Sequence, residues 1–223
     1  MSSIKLKHSG GNSVIIAAPS SNPASDRTLT LPGDADATVL TNQTNLAATQ
    51  SSLVKITDAS WNSSVSTVSV DNLDTSTYKY FKMLWNHKPS EQGRRLSFRW
   101  RENSTDQTTG AYDWNFGRYY GASTNYIAEN ADKVEVTADM GHDLNEGCQL
   151  IFEIYPKTSA ENGYHGNAVF WHGVFHENAG YIRGISGSAF YDGGASYFPN
   201  GFKLYMNVGN LEKGNYVLYG VKR

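Results

Sequence analysis

Two histidines four residues apart, His172 and His176, have the spacing that most resembles a metal site. On a helix, residues i and i+4 share a face and can hold one ion. The surrounding residues AVFWHGVFHE instead indicate a strand, in which four residues span roughly 13 Å. Two ligands so far apart cannot share one ion within a single chain, and only a symmetry axis would bring such ligands together. We therefore predict no metal site.

The single cysteine, Cys148, could act as a nucleophile with His142 or His165 as its base. It lies between Gly147 and Gln149 at the start of an alternating pattern, which favours a buried structural thiol. Residues 184–188, GISGS, have the wrong order for a nucleophile elbow, and the sequence has no Walker loop or dinucleotide fingerprint. We therefore expect neither covalent catalysis nor a cofactor.

Glycoside hydrolysis would require two carboxylates roughly 5–9.5 Å apart. The chain has 21 acidic residues, so some pair satisfies this spacing by chance. The candidates Asp113, Asp139, Asp143 and Asp192 fall in predicted loops, where turn chemistry explains them equally well. The sequence therefore favours a protein that is not an enzyme.

Two aromatic-rich segments, residues 111–126 and 190–201, are predicted to be loops that carry recognition. They mix Tyr and Trp with Asp, Asn and Gly without strict alternation. Sugars stack their C–H faces on aromatic rings while their hydroxyls bond to amides and carboxylates. The alternative is that the rings belong to the core or to subunit interfaces. The candidate glycan-binding residues are Trp114, Tyr119, Tyr120, Tyr126, Asp192 and Tyr197.

Basic residues concentrate between Lys79 and Arg101, a stretch whose only acidic residue is Glu91. Nucleic-acid-binding proteins use such patches. However, Arg95, Arg99 and Arg101 are the outward positions of a half-buried strand, where solvent or a neighbouring chain can pair them. Together with the net charge of −2, this argues against a nucleic-acid partner.

The N-terminal 60 residues contain no Phe, Tyr or Trp, although the chain has 28 of them. So little apolar bulk cannot support an independent fold. The arm nevertheless shows short strand-like runs, IKLKH, NSVIIAAP and RTLTLPG, which argue against plain disorder. We expect other copies of the chain to cover these runs, although the sequence does not give their number. The candidate attachment and trimerisation residues are Ile4, Leu6, Val14, Ile15, Ile16, Leu29 and Leu31.

Three segments follow from this division: an attachment and trimerisation segment at 1–40, a linker or short helix at 41–60, and a head domain at 61–223. The head alternates cleanly, most clearly in RRLSFRWRE, where Leu96, Phe98 and Trp100 point inward. Its short strands and turn signals predict an all-β fold, an antiparallel sandwich of jelly-roll type. The start of the sequence lacks a signal-peptide core, and no window has the roughly 18 apolar residues of a membrane helix. We therefore expect synthesis in the cytoplasm.

The arm resembles the N-terminal segment of structural proteins from cyanophages and other aquatic phages. That segment carries I-K-L-K-H/N-S, an S-N-P-x-x-D turn and L-x-L-P in this order, as do residues 4–40 of this chain. The remainder is similar to the C-terminal β domain of phage tail fibre and baseplate-peripheral proteins. The stretches that carry this second resemblance are YKYFKMLWN, RRLSFRWRE and the terminal KGNYVLYGVKR.

The resemblance implies a homotrimeric virion fibre that is anchored through the N-terminal segment to other tail or baseplate proteins. Its β domain would face outward and contact the host surface, so the expected partner is host-surface polysaccharide. Only about residues 41–60 separate the two parts, whereas fibres of this family carry a long shaft. A stubby fibre fits this length, as does a capsid decoration, head-fibre or baseplate accessory protein. A tailspike-like glycan hydrolase is the alternative from another functional class.

Overall fold

The computed structural model describes residues 3–7, 10, 13–17, 52–119, 124–158, 167–194 and 196–222. The chain divides into two units, residues 1–45 and 46–223. None of the described residues lies in a helix. Accordingly, the described part of the chain offers no helical segment suited to crossing a membrane.

In the small unit, the described residues form an antiparallel strand pair, β1 (Ser3–Lys7) and β2 (Ser13–Ala17). In its register Ile4 is paired with Ile16 and Leu6 with Val14, and Ile15 is paired with Lys5. The described parts of the runs predicted at IKLKH and NSVIIAAP, residues 4–7 and 13–17, therefore do form strands. Leu29 and Leu31 lie outside the described residues, and the trimerisation role of the arm stays a prediction.

The described residues of the large unit form thirteen strands in two antiparallel sheets. The eight-stranded sheet has the order β3-β15-β5-β11-β12-β13-β8-β9. The five-stranded sheet has the order β10-β6-β14-β4, with β7 paired to β6. The strands are β3 (Leu53–Trp61), β4 (Thr67–Val70), β5 (Tyr78–Pro89), β6 (Leu96–Glu102), β7 (Thr105–Asp106), β8 (Tyr112–Tyr119), β9 (Thr124–Ala131), β10 (Val134–Glu135), β11 (Cys148–Tyr155), β12 (Asn167–His176), β13 (Ile182–Tyr191), β14 (Gly201–Met206) and β15 (Leu211–Lys222).

The core lies between the two sheets and is built by the predicted alternation. In β6, Leu96, Phe98 and Trp100 are buried, as the sequence indicated. Hydrogen bonds also join the layers: the Trp171 indole N–H on β12 donates to the Val136 carbonyl at 2.8 Å. Burying aromatic side chains from both sheets stabilises the sandwich by roughly 1.5–3 kcal/mol per side chain. The all-β antiparallel sandwich is confirmed.

The boundary predicted at residue 61 is wrong, because the sandwich already contains β3 from Leu53 onward. Residues 53–60 are therefore neither linker nor helix but part of an edge strand paired to β15. The register slips between Leu218 and Tyr219, which leaves Ile56 as an extra residue in β3. Such a bulge interrupts the two-residue period, so this strand shows no clean alternation in the sequence.

Candidate functional site

The outer face of the eight-stranded sheet carries a concavity of about 460 Å³ across β8, β9, β12 and β13. We call it the strand-face groove. It is defined by the side chains of Asn115, Tyr119, Asn125, Ile127, Phe170, Ser186 and Ser188 together with Gly117. These positions alternate with the buried ones, such as Phe116 and Trp171, so the groove lies opposite the core.

Small residues create the floor of the groove. Gly117, Ser186 and Ser188 occupy outward positions on the paired strands β8 and β13. A methyl group on Gly117 would approach the Tyr119 hydroxyl oxygen to 2.9 Å. The Tyr119 side chain therefore reaches back to Gly117, and any larger residue at 117 would displace it.

Three exposed apolar side chains rise around this floor. Tyr119 is 54% exposed, Phe170 48% and Ile127 72%. Aromatic side chains left in water forgo the free energy that burial would supply. Exposed apolar side chains that cluster around one concavity are typical of a recognition surface, whereas single exposed ones are common on any protein.

Polar groups complete the groove. The Tyr119 hydroxyl lies 3.2 Å from the Ser186 hydroxyl, which restrains the ring. Asn115 and Asn125 each contribute an amide with both donor and acceptor atoms. The groove can therefore stack the apolar face of a polyhydroxylated ligand and exchange hydrogen bonds with its hydroxyls.

Of the six predicted glycan-binding residues, the structure brings only Tyr119 to this groove, and Tyr120 lies outside the described residues. The expectation that Trp114 and Tyr197 are exposed is wrong: they are 7% and 6% exposed. Trp114 stacks on Phe116 with ring centroids 5.8 Å apart. Tyr197 packs against the buried Tyr191 at 5.0 Å. Both belong to the core, which was the alternative interpretation of these rings.

Tyr126 and Asp192 also lie away from the groove. Tyr126 is half-buried and stacks on Phe116 at 4.6 Å, on the inner side of the sheet. Asp192 closes a turn, because its carboxylate accepts a hydrogen bond from the Gly194 N–H at 3.2 Å. Solvation and turn chemistry therefore account for this carboxylate.

Sequence reasoning missed Phe170, Asn115, Asn125 and the two serines. The segment 111–126 was predicted to be a loop, yet most of it forms β8 and β9. The signal was present in Tyr112, Trp114 and Phe116, which alternate and are all buried. Phe170 alternates with the buried Val169 and Trp171, so its outward position could have been deduced once β12 was assigned.

The single cysteine, Cys148, is buried and unreactive. The Cys148 sulfur lies 3.0 Å from Nδ1 of the buried His87, and the Trp85 indole N–H donates to the same nitrogen at 2.7 Å. Burial lowers the pKa of His87 to about 3 and raises the pKa of Cys148. Both groups are therefore neutral near pH 7, and no thiolate forms. The prediction of a buried structural thiol is confirmed.

The three arginines at outward positions of the basic run pair with carboxylates of the same chain. Arg95 reaches Glu135 at 2.8 Å and Asp139 at 2.6 Å, and Arg99 pairs with Asp132. Arg101 reaches Asp71 at 2.9 Å and Asp106 at 3.1 Å. Arg95, Arg99 and Arg101 therefore have their charges balanced within the chain.

His172 and His176 lie on strand β12, as the sequence indicated, not on a helix. Over the described ranges, His, Cys, Asp and Glu form no group of three that could hold a metal ion. Comparison of the chain with protein families, curated proteins and solved structures finds no match. Its function is therefore inferred from the groove and from the resemblance in sequence.

Proposed function

We propose that this protein is a non-enzymatic subunit of a bacteriophage tail fibre that binds host-surface glycan in the strand-face groove. The observation that carries this proposal is the combination of two exposed aromatic rings, Tyr119 and Phe170, with a floor of hydroxyl and amide groups. Sugar rings present both an apolar face and a rim of hydroxyls, so they match both parts of this surface.

The virion context is supported by the resemblance of the first 40 residues and of the strands YKYFKMLWN and RRLSFRWRE to phage fibre proteins. In this proposal the arm attaches the subunit to the particle and helps three copies to assemble. The groove lies on the head domain, which the fibre would present to the host surface. The protein would then be located in the virion after synthesis in the host cytoplasm.

Binding without cleavage is supported by the chemistry of the groove lining. The described residues that form it are aromatic, aliphatic, hydroxyl, amide or glycine residues, with no Asp or Glu among them. Glycosidases with two carboxylates need both beside the scissile bond. Incubation with host polysaccharide should therefore release no reducing ends, and steady release would overturn the non-enzymatic part of the proposal.

The test of the groove compares two phenylalanines on the same sheet face. Phe170→Ala removes a groove ring, whereas Phe190→Ala removes a ring of similar exposure, 42%, that does not line the groove. We expect Phe170→Ala to weaken binding to polysaccharide from the host surface about tenfold, equivalent to about 1.4 kcal/mol. Isothermal titration calorimetry measures both variants.

Phe190→Ala should bind like the unchanged protein, and the melting temperatures of both variants should stay close to that of the unchanged protein, since both rings are exposed. Equal affinity in the Phe170→Ala variant and the unchanged protein would contradict the groove assignment. An equal loss of affinity in both variants would show that the ligand contacts the sheet face outside the groove as well.

A further inference from the structure

The lining of the strand-face groove carries no charge. Among the residues that the structure describes, this lining includes no Asp, Glu, Lys, Arg or His. Its polar groups are the amides of Asn115 and Asn125 and the hydroxyls of Tyr119, Ser186 and Ser188. Amides and hydroxyls donate and accept hydrogen bonds, but they do not neutralise a charged ligand. The lining therefore matches ligand groups that are themselves neutral.

These polar side chains are accessible to a ligand. Asn115, Tyr119 and Asn125 are exposed on the outer face of the sheet. Ser186 and Ser188 are half-buried on strand β13, which is paired with β8. A ligand on this face can therefore contact all five side chains without displacing a core residue.

Three of the polar side chains meet above Gly117. The Tyr119 and Ser186 hydroxyls lie 3.2 Å apart, and one of them donates its proton to the other. A methyl group on Gly117 would lie 2.9 Å from the Tyr119 hydroxyl and 3.3 Å from Oδ1 of Asn125. After their mutual bond, the two hydroxyls still have one proton to donate and lone pairs to accept. A sugar hydroxyl can use both, because it donates and accepts, whereas a carboxylate only accepts.

Two carboxylates border the groove. Asp113 is exposed on the same face of β8 as Asn115, two residues before it. Glu153 on β11 is paired in register with Phe170, so it flanks the groove ring. A ligand carboxylate in the groove would lie near these two carboxylates, and like charges at short range repel. The border of the groove therefore disfavours an anionic ligand, as its lining does.

Two cations at neighbouring positions face other groups. Arg118 directly follows Gly117, but its side chain lies on the other side of β8, where it pairs with Glu177. Lys82 on β5 is paired in register with Glu153, so strand β11 separates it from the groove. Neither cation is therefore placed to pair with a carboxylate of a ligand in the groove.

We propose that the strand-face groove selects neutral sugars and discriminates against acidic sugars such as uronic acids. The inference rests on the proposed function, because it names the class of glycan that the groove binds. A carboxylate on this lining loses part of its hydration without gaining a cation, and an unpaired charge is costly to remove from water. A neutral alcohol in the same place exchanges its bonds to water for bonds to the amides and hydroxyls of the groove.

The test compares two forms of the same oligosaccharides, which are prepared from host-surface polysaccharide. In the neutral form every carboxyl group is reduced to an alcohol, and in the acidic form the primary alcohols are oxidised to carboxylates. Both forms are titrated into the full chain by calorimetry at pH 8, where an ordinary imidazole is neutral, so that the exposed His172 on the same sheet face adds no charge. We expect the neutral form to bind at least about tenfold more tightly than the acidic form.

The outcomes separate this inference from the proposed function. Equal or tighter binding of the acidic form would overturn the inference. If Phe170→Ala weakened the binding of both forms in that case, the proposed function would stand without the selectivity. If neither form bound to the unchanged protein, the proposed function would fail, and this inference would fail with it.

Two matched lysine variants complete the experiment. Asn115→Lys adds a cation to the groove lining, whereas Gln149→Lys adds the same charge to the same sheet face outside the groove. We expect Asn115→Lys to bind the acidic form at least about fivefold more tightly than the unchanged protein does, because a charged hydrogen bond becomes available. Gln149→Lys should bind both forms like the unchanged protein when exposed charges are screened at about 0.15 M salt. Both positions are exposed, so both variants should fold. No gain in Asn115→Lys, or an equal gain in both variants, would overturn the inference.

Discussion

The outer faces of the two sheets differ in the side chains that they expose to solvent. On the five-stranded sheet, Arg95, Arg99 and Arg101 are paired with acidic residues of the same chain. On the eight-stranded sheet, the exposed positions include large apolar side chains. These are Leu84, Ile127, Phe170, Val174 and Phe190.

This difference shows where recognition is to be sought. Charged side chains that are already paired within the chain have little capacity to pair with a ligand. Exposed ion pairs of this kind also contribute little to stability. A face with unburied rings still has free energy to gain from a partner. The strand-face groove lies on strands of this eight-stranded sheet.

The largest expected effect separates the core side of β8 from its groove side. Trp114→Ala should reduce the free energy of unfolding by about 3–5 kcal/mol, because it leaves a cavity behind a ring that is 7% exposed. Tyr119→Ala, on the opposite side of the same strand, should cost about 1 kcal/mol or less. Urea unfolding measures both. A small loss for Trp114→Ala would place that ring at the surface and break the distinction.

An effect of intermediate size concerns pH. Burial holds the pKa of His87 at about 3, whereas the unfolded chain has an ordinary value near 6.5. The unfolded state therefore takes up a proton first, so this stability is full above pH 6.5 and is lost progressively as pH falls towards 3. Between pH 7 and pH 5 we expect a loss of about 2 kcal/mol from this group.

The measurement is urea unfolding at the two pH values for the unchanged protein and for His87→Gln, which cannot titrate there. The variant should lack this part of the pH dependence, whatever its own stability. Parallel curves for the two proteins would show that His87 is protonated equally in both states and is not buried neutral.

The smallest expected effect is on the five-stranded face. Arg99→Gln removes the ion pair with Asp132 and a cation–π contact with Tyr205 at 5.4 Å. Because Asp132 is largely solvent-exposed, the loss in unfolding free energy should be about 1 kcal/mol or less. Polysaccharide affinity should be unchanged in calorimetry. A marked loss of affinity would assign recognition to the charged face and reverse the comparison.

The sequence predicts which side chains are buried in those strands that have one apolar face. In β6, alternation alone identified Leu96, Phe98 and Trp100 as core, and the structure buries all three. It also identified Cys148 as structural, because its position continues the buried side of β11. These assignments depend only on neighbours along the chain.

Assignments that depend on distant pairing could not be made in this way. Strand β15 inserts between β3 and β5, so the role of residues 53–60 becomes visible only through partners that lie 155–168 residues later in the chain. The groove likewise combines Tyr119 on β8 with Phe170 on β12, which are separated by β13. Asn and Gly within β8 resemble loop residues until β13 and β9 pair with the strand on both sides.

The most direct measurement asks whether the proposed glycan ligand binds, and to which face of the sandwich. Oligosaccharides prepared from host-surface polysaccharide are titrated into ¹⁵N-labelled protein, and backbone amide shifts are mapped onto the two sheets. Our account predicts that the largest shifts occur at Gly117, Tyr119, Phe170 and Ser186. Shifts confined to β6 and β14 of the five-stranded sheet, or no saturable shifts at all, would contradict it.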